Sequence, residues 1–209
     1  MLTLRNSAFF LLVAASFSHA DPLTNLVTNG GFETGSFSGW SVAGTVTPCL
    51  FVGTSNDSHC IPTTGYGAHT GAYAAELGNG GGDAVLSQTI STSGSGTYEI
   101  SFWLASQNYG TVANDFSVTW GGTTLLSGAN LPAFGYTHYD FTGLAAAGPA
   151  TVLAFTFRND PSYFALDDVS VVDPPNGVPE PRTSLALPLL LAGLMAFACR
   201  ARRGNSVRI

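Results

Sequence analysis

The sequence predicts an all-β protein, an antiparallel β-sandwich of the jelly-roll type with eight to nine strands, flanked by an N-terminal signal peptide and a C-terminal single transmembrane helix. Short runs of alternating apolar and polar residues recur across residues 21–172, and clusters of Gly, Asn, Ser and Pro separate them. The chain is 45% hydrophobic and only 10% charged, with 25 glycines and 11 prolines, too apolar for disorder and too rich in turns for a helical bundle. No helical periodicity of useful length interrupts the domain, and 209 residues leave room for one ordinary core plus accessory segments.

Residues 1–20 form the first element. Arg5 supplies a positive n-region, residues 8–17 are apolar, and Ser18-His19-Ala20 is a small-x-small ending, which predicts cleavage by signal peptidase between Ala20 and Asp21. The alternative, a buried core helix, does not account for the abrupt change of composition at Asp21-Pro22.

The domain is expected over residues 21–172. Its clearest strand is 98–106, where Tyr98, Ile100, Phe102 and Leu104 share one face and Glu99, Ser101 and Trp103 the other. Phe116, Val118 and Trp120 repeat the alternation, and Gly121-Gly122 predicts a hairpin into 123–126. Further strands are expected at 72–77, 84–90, 136–141, 150–157 and 165–172, with one or two around 45–52, and residues 25–33 read as the first strand region.

Residues 173–182 form a solvated linker that ends in Pro179-Glu180-Pro181, and a membrane-spanning tail is expected over 183–203, with 204–209 as a cytoplasmic end. The apolar stretch 185–198 reaches roughly 21 Å as a helix, short of the ~30 Å hydrocarbon core, so an anchor needs snorkelling or bilayer thinning. Arg200, Arg202 and Arg203 after the stretch put the extreme C-terminus in the cytoplasm and the domain outside the inner membrane. The order of Pro-Glu-Pro, short apolar helix and arginine cluster resembles the PEP-CTERM sorting signal. That resemblance implies an exosortase as processing partner, in bacteria that make extracellular polysaccharide. It also implies a transient inner-membrane intermediate, followed by the cell surface or extracellular matrix. An ordinary single-pass anchor shares the helix and the arginines but gives no reason for the Pro-Glu-Pro.

The chain has no lysine, and Arg158 is its only arginine between Arg5 and Arg182, while all thirteen acidic residues fall between Asp21 and Glu180. So acidic a domain excludes nucleic acid as a partner, because phosphate binding depends on Lys and Arg. Divalent cations and neutral sugars stay open.

A second resemblance rests on three segments: Asn25-Leu26-Val27-Thr28-Asn29-Gly30-Gly31-Phe32-Glu33 followed by Trp40, then Gly71-Ala72-Tyr73-Ala74-Ala75, and the closing Phe164-Ala165-Leu166-Asp167-Asp168-Val169-Ser170-Val171. Together they resemble the galactose-binding-like jelly roll found in many carbohydrate-binding modules. The resemblance implies a structural calcium ion held by Glu33 and Asp167, with carbonyls near Asn29 and Gly71 completing the shell, a mixed oxygen set of the kind calcium accepts. The alternative is that both are ordinary acids facing water. Strand alternation puts Asp168 on the face opposite Asp167.

Cys49 and Cys60 bracket a loop rich in Gly, Ser and Asn, and an oxidising compartment predicts a disulfide between them, contributing about 3 kcal/mol by loop closure; two free thiols are the alternative. Cys199 lies in the tail and is either lipidated or inert. His59, His69 and His138 share no ligand-like spacing and read as exposed, no G-x-S-x-G occurs, and the Gly tract 78–82 lacks the lysine of a phosphate loop. Trp103, Tyr109, Tyr136 and Tyr139 are candidates for a sugar-stacking platform, with Gln107, Asn108 and Asn114 as hydrogen-bonding partners; core packing is the competing role. The function expected is non-enzymatic: an exported protein that associates with extracellular polysaccharide or matrix. A purely structural or adhesive spacer is the first alternative. A glycoside hydrolase using two of Glu76, Glu99, Asp115 and Asp140 is the second.

Overall fold

The computed structural model describes residues 23–57, 66–78, 80–108 and 113–173. The expected signal peptide with its Ala20/Asp21 junction, Cys60, Tyr109, Pro179-Glu180-Pro181, the apolar tail and its arginines lie outside them. Among the described residues no helix is long and apolar enough to cross a membrane.

Ten strands follow in chain order: β1 Ser41–Gly44, β2 Leu50–Gly53, β3 Ala74–Leu77, β4 Ala84–Ser91, β5 Thr97–Ser106, β6 Asn114–Trp120, β7 Thr123–Ala129, β8 Phe134–Ala145, β9 Ala150–Asn159 and β10 Phe164–Val172. They form two five-stranded antiparallel sheets in the orders β1-β4-β9-β6-β7 and β2-β3-β10-β5-β8. The last eight strands alternate between sheets except at the β6–β7 hairpin, which is jelly-roll topology, and β1 and β2 extend one edge of each sheet. The region 41–53 contributes two strands, so the count is ten where eight or nine were expected. Gly121 and Gly122 have φ of +56° and +84°, the pair of positive values that a two-residue hairpin turn requires.

The core lies between the sheets and follows the predicted alternation. Tyr98, Ile100, Phe102 and Leu104 of β5 are buried against Leu86 and Ile90 of β4, Phe116 and Val118 of β6, and Leu153, Phe155 and Phe157 of β9. Phe102 meets Phe155 edge to face at 5.3 Å, the offset geometry that ring quadrupoles favour. Tyr139 stacks on Phe102 at 5.2 Å from the inner face of β8, so it serves the core and leaves the sugar-stacking platform proposed for it.

Residues 25–33, expected as the first strand, are a chain of turns that clasps β10. Asn29 and Phe32 have φ of +55° and +56°, incompatible with an extended run. The segment still pairs with β10 through Leu26 N–H to the Val171 carbonyl (2.8 Å) and Val169 N–H to the Gly30 carbonyl (2.9 Å). The Asn25 side chain completes the ladder, donating to the Val169 carbonyl and accepting from Val171 N–H, each at 3.0 Å. The expected strand at 72–77 starts two residues late because the Ala72 and Tyr73 amides are taken by the Glu33 carboxylate.

Gly30 is where the clasp closes tightest: a Cβ built there would lie 2.1 Å from the Val169 carbonyl oxygen. Gly30→Ala is expected to cost about 3 kcal/mol by forcing the two backbones apart. A urea midpoint unchanged from wild type contradicts this account.

Candidate functional site

The outer face of the β2-β3-β10-β5-β8 sheet gathers the polar and aromatic groups. Register places Glu76 opposite Ala165, Asp167 opposite Trp103, and Trp103 opposite His138, so these side chains share the face turned away from the core. Across them runs a short segment, residues 66–73, pinned almost entirely by carboxylates. Glu76 accepts from Gly67 N–H at 2.9 Å. Asp167 Oδ2 accepts from His69 N–H and Thr70 N–H at 2.8 and 3.2 Å. Glu33 accepts from Ala72 N–H and Tyr73 N–H at 3.0 and 3.1 Å. Hydrogen bonds to ionised acceptors are stronger than neutral ones, so three carboxylates hold five amides of one strap firmly.

Asp168 departs from the expected alternation. The β10–β5 register slips between Asp167 and Ser170, and Asp168 has a φ of +50°, so a β-bulge turns its carboxylate to the same side as that of Asp167. There it shares a 2.7 Å hydrogen bond with His69 Nδ1 and accepts from the Thr70 hydroxyl at 2.6 Å. Asn and Asp tolerate the left-handed region better than other residues with a Cβ, which suits an Asp to this bulge.

His69 therefore is not an idle exposed loop residue. Its ring stacks on the Trp103 indole at 3.8 Å and 16° and meets Tyr136 at 5.2 Å, while Tyr136 meets Tyr66 at 5.2 Å. The Tyr136 hydroxyl donates to the Gly67 carbonyl at 2.6 Å. Trp103 and Tyr136 thus lie together as predicted, but one indole face is already covered by His69. His138 lies 5.0 Å from Trp103 on exposed β8. Asn114 is buried and binds both the Leu131 amide and carbonyl, so it shapes a turn and does not reach a ligand surface.

Beyond the strap, at the β5/β8 end of the sheet, Tyr66, Ser106, Gln107, Asn108, Phe134 and Gly135 line an open groove of 430 Å³. Tyr66, Ser106 and Phe134 carried no sequence signal as site residues. Only the pairing of Ser106 with Phe134 and the return of the strap bring them together.

Of the carboxylates considered for hydrolysis, Glu76 lies buried beneath the strap and Asp115 belongs to the other sheet. Burial raises the Glu76 carboxyl to about 7, aided by the charge of Asp57 and opposed by the Gly67 and Tyr66 amides. Burial likewise raises Asp167 to about 6, with the Asp168 charge adding to it and three amides opposing it. Tyr136 is pushed upward by burial and by the charges of Asp167 and Glu76.

As a calcium site, the region offers oxygen ligands around Gly31, where an added Cβ would lie 3.7 Å from Asp168 Oδ1 and 3.8 Å from both Asp167 Oδ1 and Glu33 Cγ. Asp167 and Asp168 bring carboxylate oxygens to this side and Glu33 its side-chain stem, and oxygen ligands of this kind suit a hard cation. Among the described residues no group of three or more His, Cys, Asp and Glu side chains is spaced to hold a metal alone, so carbonyls would have to complete the shell. The Asn29 carbonyl already accepts from Phe32 N–H and Trp40 Nε1. Gly71, with φ of +69°, packs directly on the Glu33 carboxylate. Cys49 precedes β2, its carbonyl accepting from Gly78 N–H, and its expected partner Cys60 is outside the described residues.

No protein-family model and no curated protein matches the chain. Solved structures do. The carbohydrate-binding module TmCBM61, solved in complex with β-1,4-galactotriose, is similar with a TM-score of 0.53 and 21% identity over 72% of this chain and 99% of that one. The N-terminal CBM22-1–CBM22-2 tandem domain of Xyn10C from Paenibacillus barcinonensis is similar with a TM-score of 0.50 and 16% identity, over 78% of this chain and 51% of that one. This chain therefore spans about half of the tandem. At these identities the likeness is one of fold: a β-sandwich shared with carbohydrate-binding modules.

The raised Glu76 carboxyl generates a test. Its folded value exceeds its unfolded one, so its contribution is fully present below about pH 4.5 and is lost as pH rises through about 7. The loss is on the order of 3 kcal/mol. Glu76→Gln should flatten the decline in unfolding free energy between pH 4.5 and 8, and an undiminished decline removes Glu76 as its source.

Proposed function

We propose that the chain is an exported, non-enzymatic protein whose jelly roll binds extracellular polysaccharide. The observation that carries the reading is the outer face of the β2-β3-β10-β5-β8 sheet, where Trp103, Tyr136 and Tyr66 stand beside an open groove edged with amide side chains. Ring faces stack on the apolar faces of sugars, and amides both donate to and accept from hydroxyls. The fold shared with a module solved in complex with β-1,4-galactotriose supports the same reading. Within the proposal, residues 1–20 export the chain, the Pro179-Glu180-Pro181 tail is handed to an exosortase at the inner membrane, and the domain reaches the cell surface or matrix.

Calcium belongs to the same proposal. Glu33 and Asp167, joined by Asp168, would hold the ion and so tie the strap to both ends of the domain, with backbone oxygens near Asn29 and Gly71 filling the shell. A Cys49–Cys60 disulfide would close the loop that leads into the strap.

Two measurements test the reading. On a glycan array the full chain should retain at least one polysaccharide, and Trp103→Ala should weaken retention about tenfold because the strap loses its stacking surface. An array with no bound glycan overturns the function. Separately, chelation should lower the melting temperature by about 5–10 °C from its value at calcium a hundredfold above Kd. Glu33→Gln with Asp167→Asn should abolish that response, and a wild-type melting curve indifferent to chelator removes calcium from the proposal.

A further inference from the structure

The open groove at the end of β5 and β8 carries a more specific reading, which rests on the carbohydrate-binding function proposed above. Ser106 is 1% exposed and its Oγ finds no hydrogen-bond partner within the protein, although it lies on the groove wall. An unpaired buried hydroxyl costs on the order of 1–3 kcal/mol, a penalty that a ligand group reaching it would relieve. The aromatic walls are Tyr66 and Phe134, and the Gln107 and Asn108 side chains complete the rim. At 430 Å³ the groove lies within the range of about 300–1,000 Å³ that small-molecule sites occupy.

Charge decides which sugars suit it. Arg158 is the only lysine or arginine among the described residues; it lies on β9 of the other sheet and is paired with Asp160 at 3.1 Å. The strap beside the groove is surrounded instead by Glu76, Asp167 and Asp168. A uronate or sulfate entering the groove would find no lysine or arginine among the described residues to receive it, whether or not calcium neutralises the Asp167 and Asp168 carboxylates. Neutral hydroxyls, by contrast, find the Ser106 hydroxyl and two aromatic rings, with the Gln107 and Asn108 amides at the rim, the latter already donating to the Leu131 carbonyl.

We propose that the groove formed by Tyr66, Ser106, Gln107, Asn108, Phe134 and Gly135 is a subsite for neutral sugar units of a glycan chain, with the Ser106 hydroxyl as a recognition group at its floor. Gly135 supplies a blocking variant. Its backbone is not in the left-handed region, and an added Cβ meets only the Tyr66 hydroxyl at 3.3 Å, so a larger side chain there fills the groove without disturbing the core.

The test is affinity electrophoresis of the full chain against β-1,4-galactan, xylan and polygalacturonate, with thermal unfolding as a control on each variant. The expected result is retardation by a neutral polymer and none by polygalacturonate. Ser106→Ala should weaken retardation about fivefold, the loss of one hydrogen bond, with a melting temperature at or above wild type because an unpaired buried hydroxyl is removed, and Gly135→Leu should abolish it with a melting temperature near wild type. Retardation by a neutral polymer that survives both variants overturns the subsite while leaving the carbohydrate-binding reading intact. Stronger retardation by polygalacturonate overturns the neutral preference. Failure of every polymer to bind overturns the functional reading and this subsite together.

Discussion

The β-bulge at Asp167–Ser170 in β10 is the constraint from which the outer face follows. β10 is central in its sheet, paired on both sides by β3 and β5, and a regular strand there would send Asp167 and Asp168 to opposite faces. The left-handed turn at Asp168 breaks that rule. Both carboxylates then reach the same strap, Asp167 through its backbone amides and Asp168 through the His69 ring and the Thr70 hydroxyl. Val169, within the bulge, donates to the Gly30 carbonyl and so locks the opening turns onto the closing strand. One irregularity thus joins the N-terminal clasp, the last strand and the strap.

Its consequence is electrostatic as well as geometric. Acidic side chains are drawn into a partly dry environment, where an ionised carboxylate is costly unless donors or a cation compensate. Backbone amides of the strap provide part of the compensation, and burial still leaves the Glu76 and Asp167 carboxyls raised. The strap is accordingly more than a loop laid over a sheet. It is the counterpart that makes an acidic sheet face tolerable, and in return that face fixes where His69, Tyr66 and the groove stand.

This arrangement also explains how a common fold acquires a particular surface. The jelly roll supplies rigid neighbours, Trp103 on β5 and His138 and Tyr136 on β8, at spacings set by strand register. The strap then modifies what those neighbours present, covering one indole face with His69 and opening a groove beyond Tyr66. Fold is therefore a poor guide to ligand, because the surface that meets a ligand is composed by the segments between strands.

Alternation alone made most of the sandwich legible. The β5 stripe of Tyr98, Ile100, Phe102 and Leu104, the Gly121-Gly122 hairpin and the closing strand all follow from side-chain periodicity and turn chemistry, which are local. What the chain could not disclose by itself lies wherever local rules yield to distant partners. Residues 25–33 look extended but turn, because left-handed Asn29 and Phe32 and the cramped Gly30 answer to β10. Tyr139 looks like a surface aromatic but packs on Phe102, because the face it takes on β8 is set by its register with β5. Asp168 joins Asp167 through a bulge that no periodicity encodes, and Tyr66, Ser106 and Phe134 meet only once β5 has paired with β8 and the strap has returned across the sheet. Periodicity is a property of neighbours in the chain, whereas a binding surface is a property of neighbours in space.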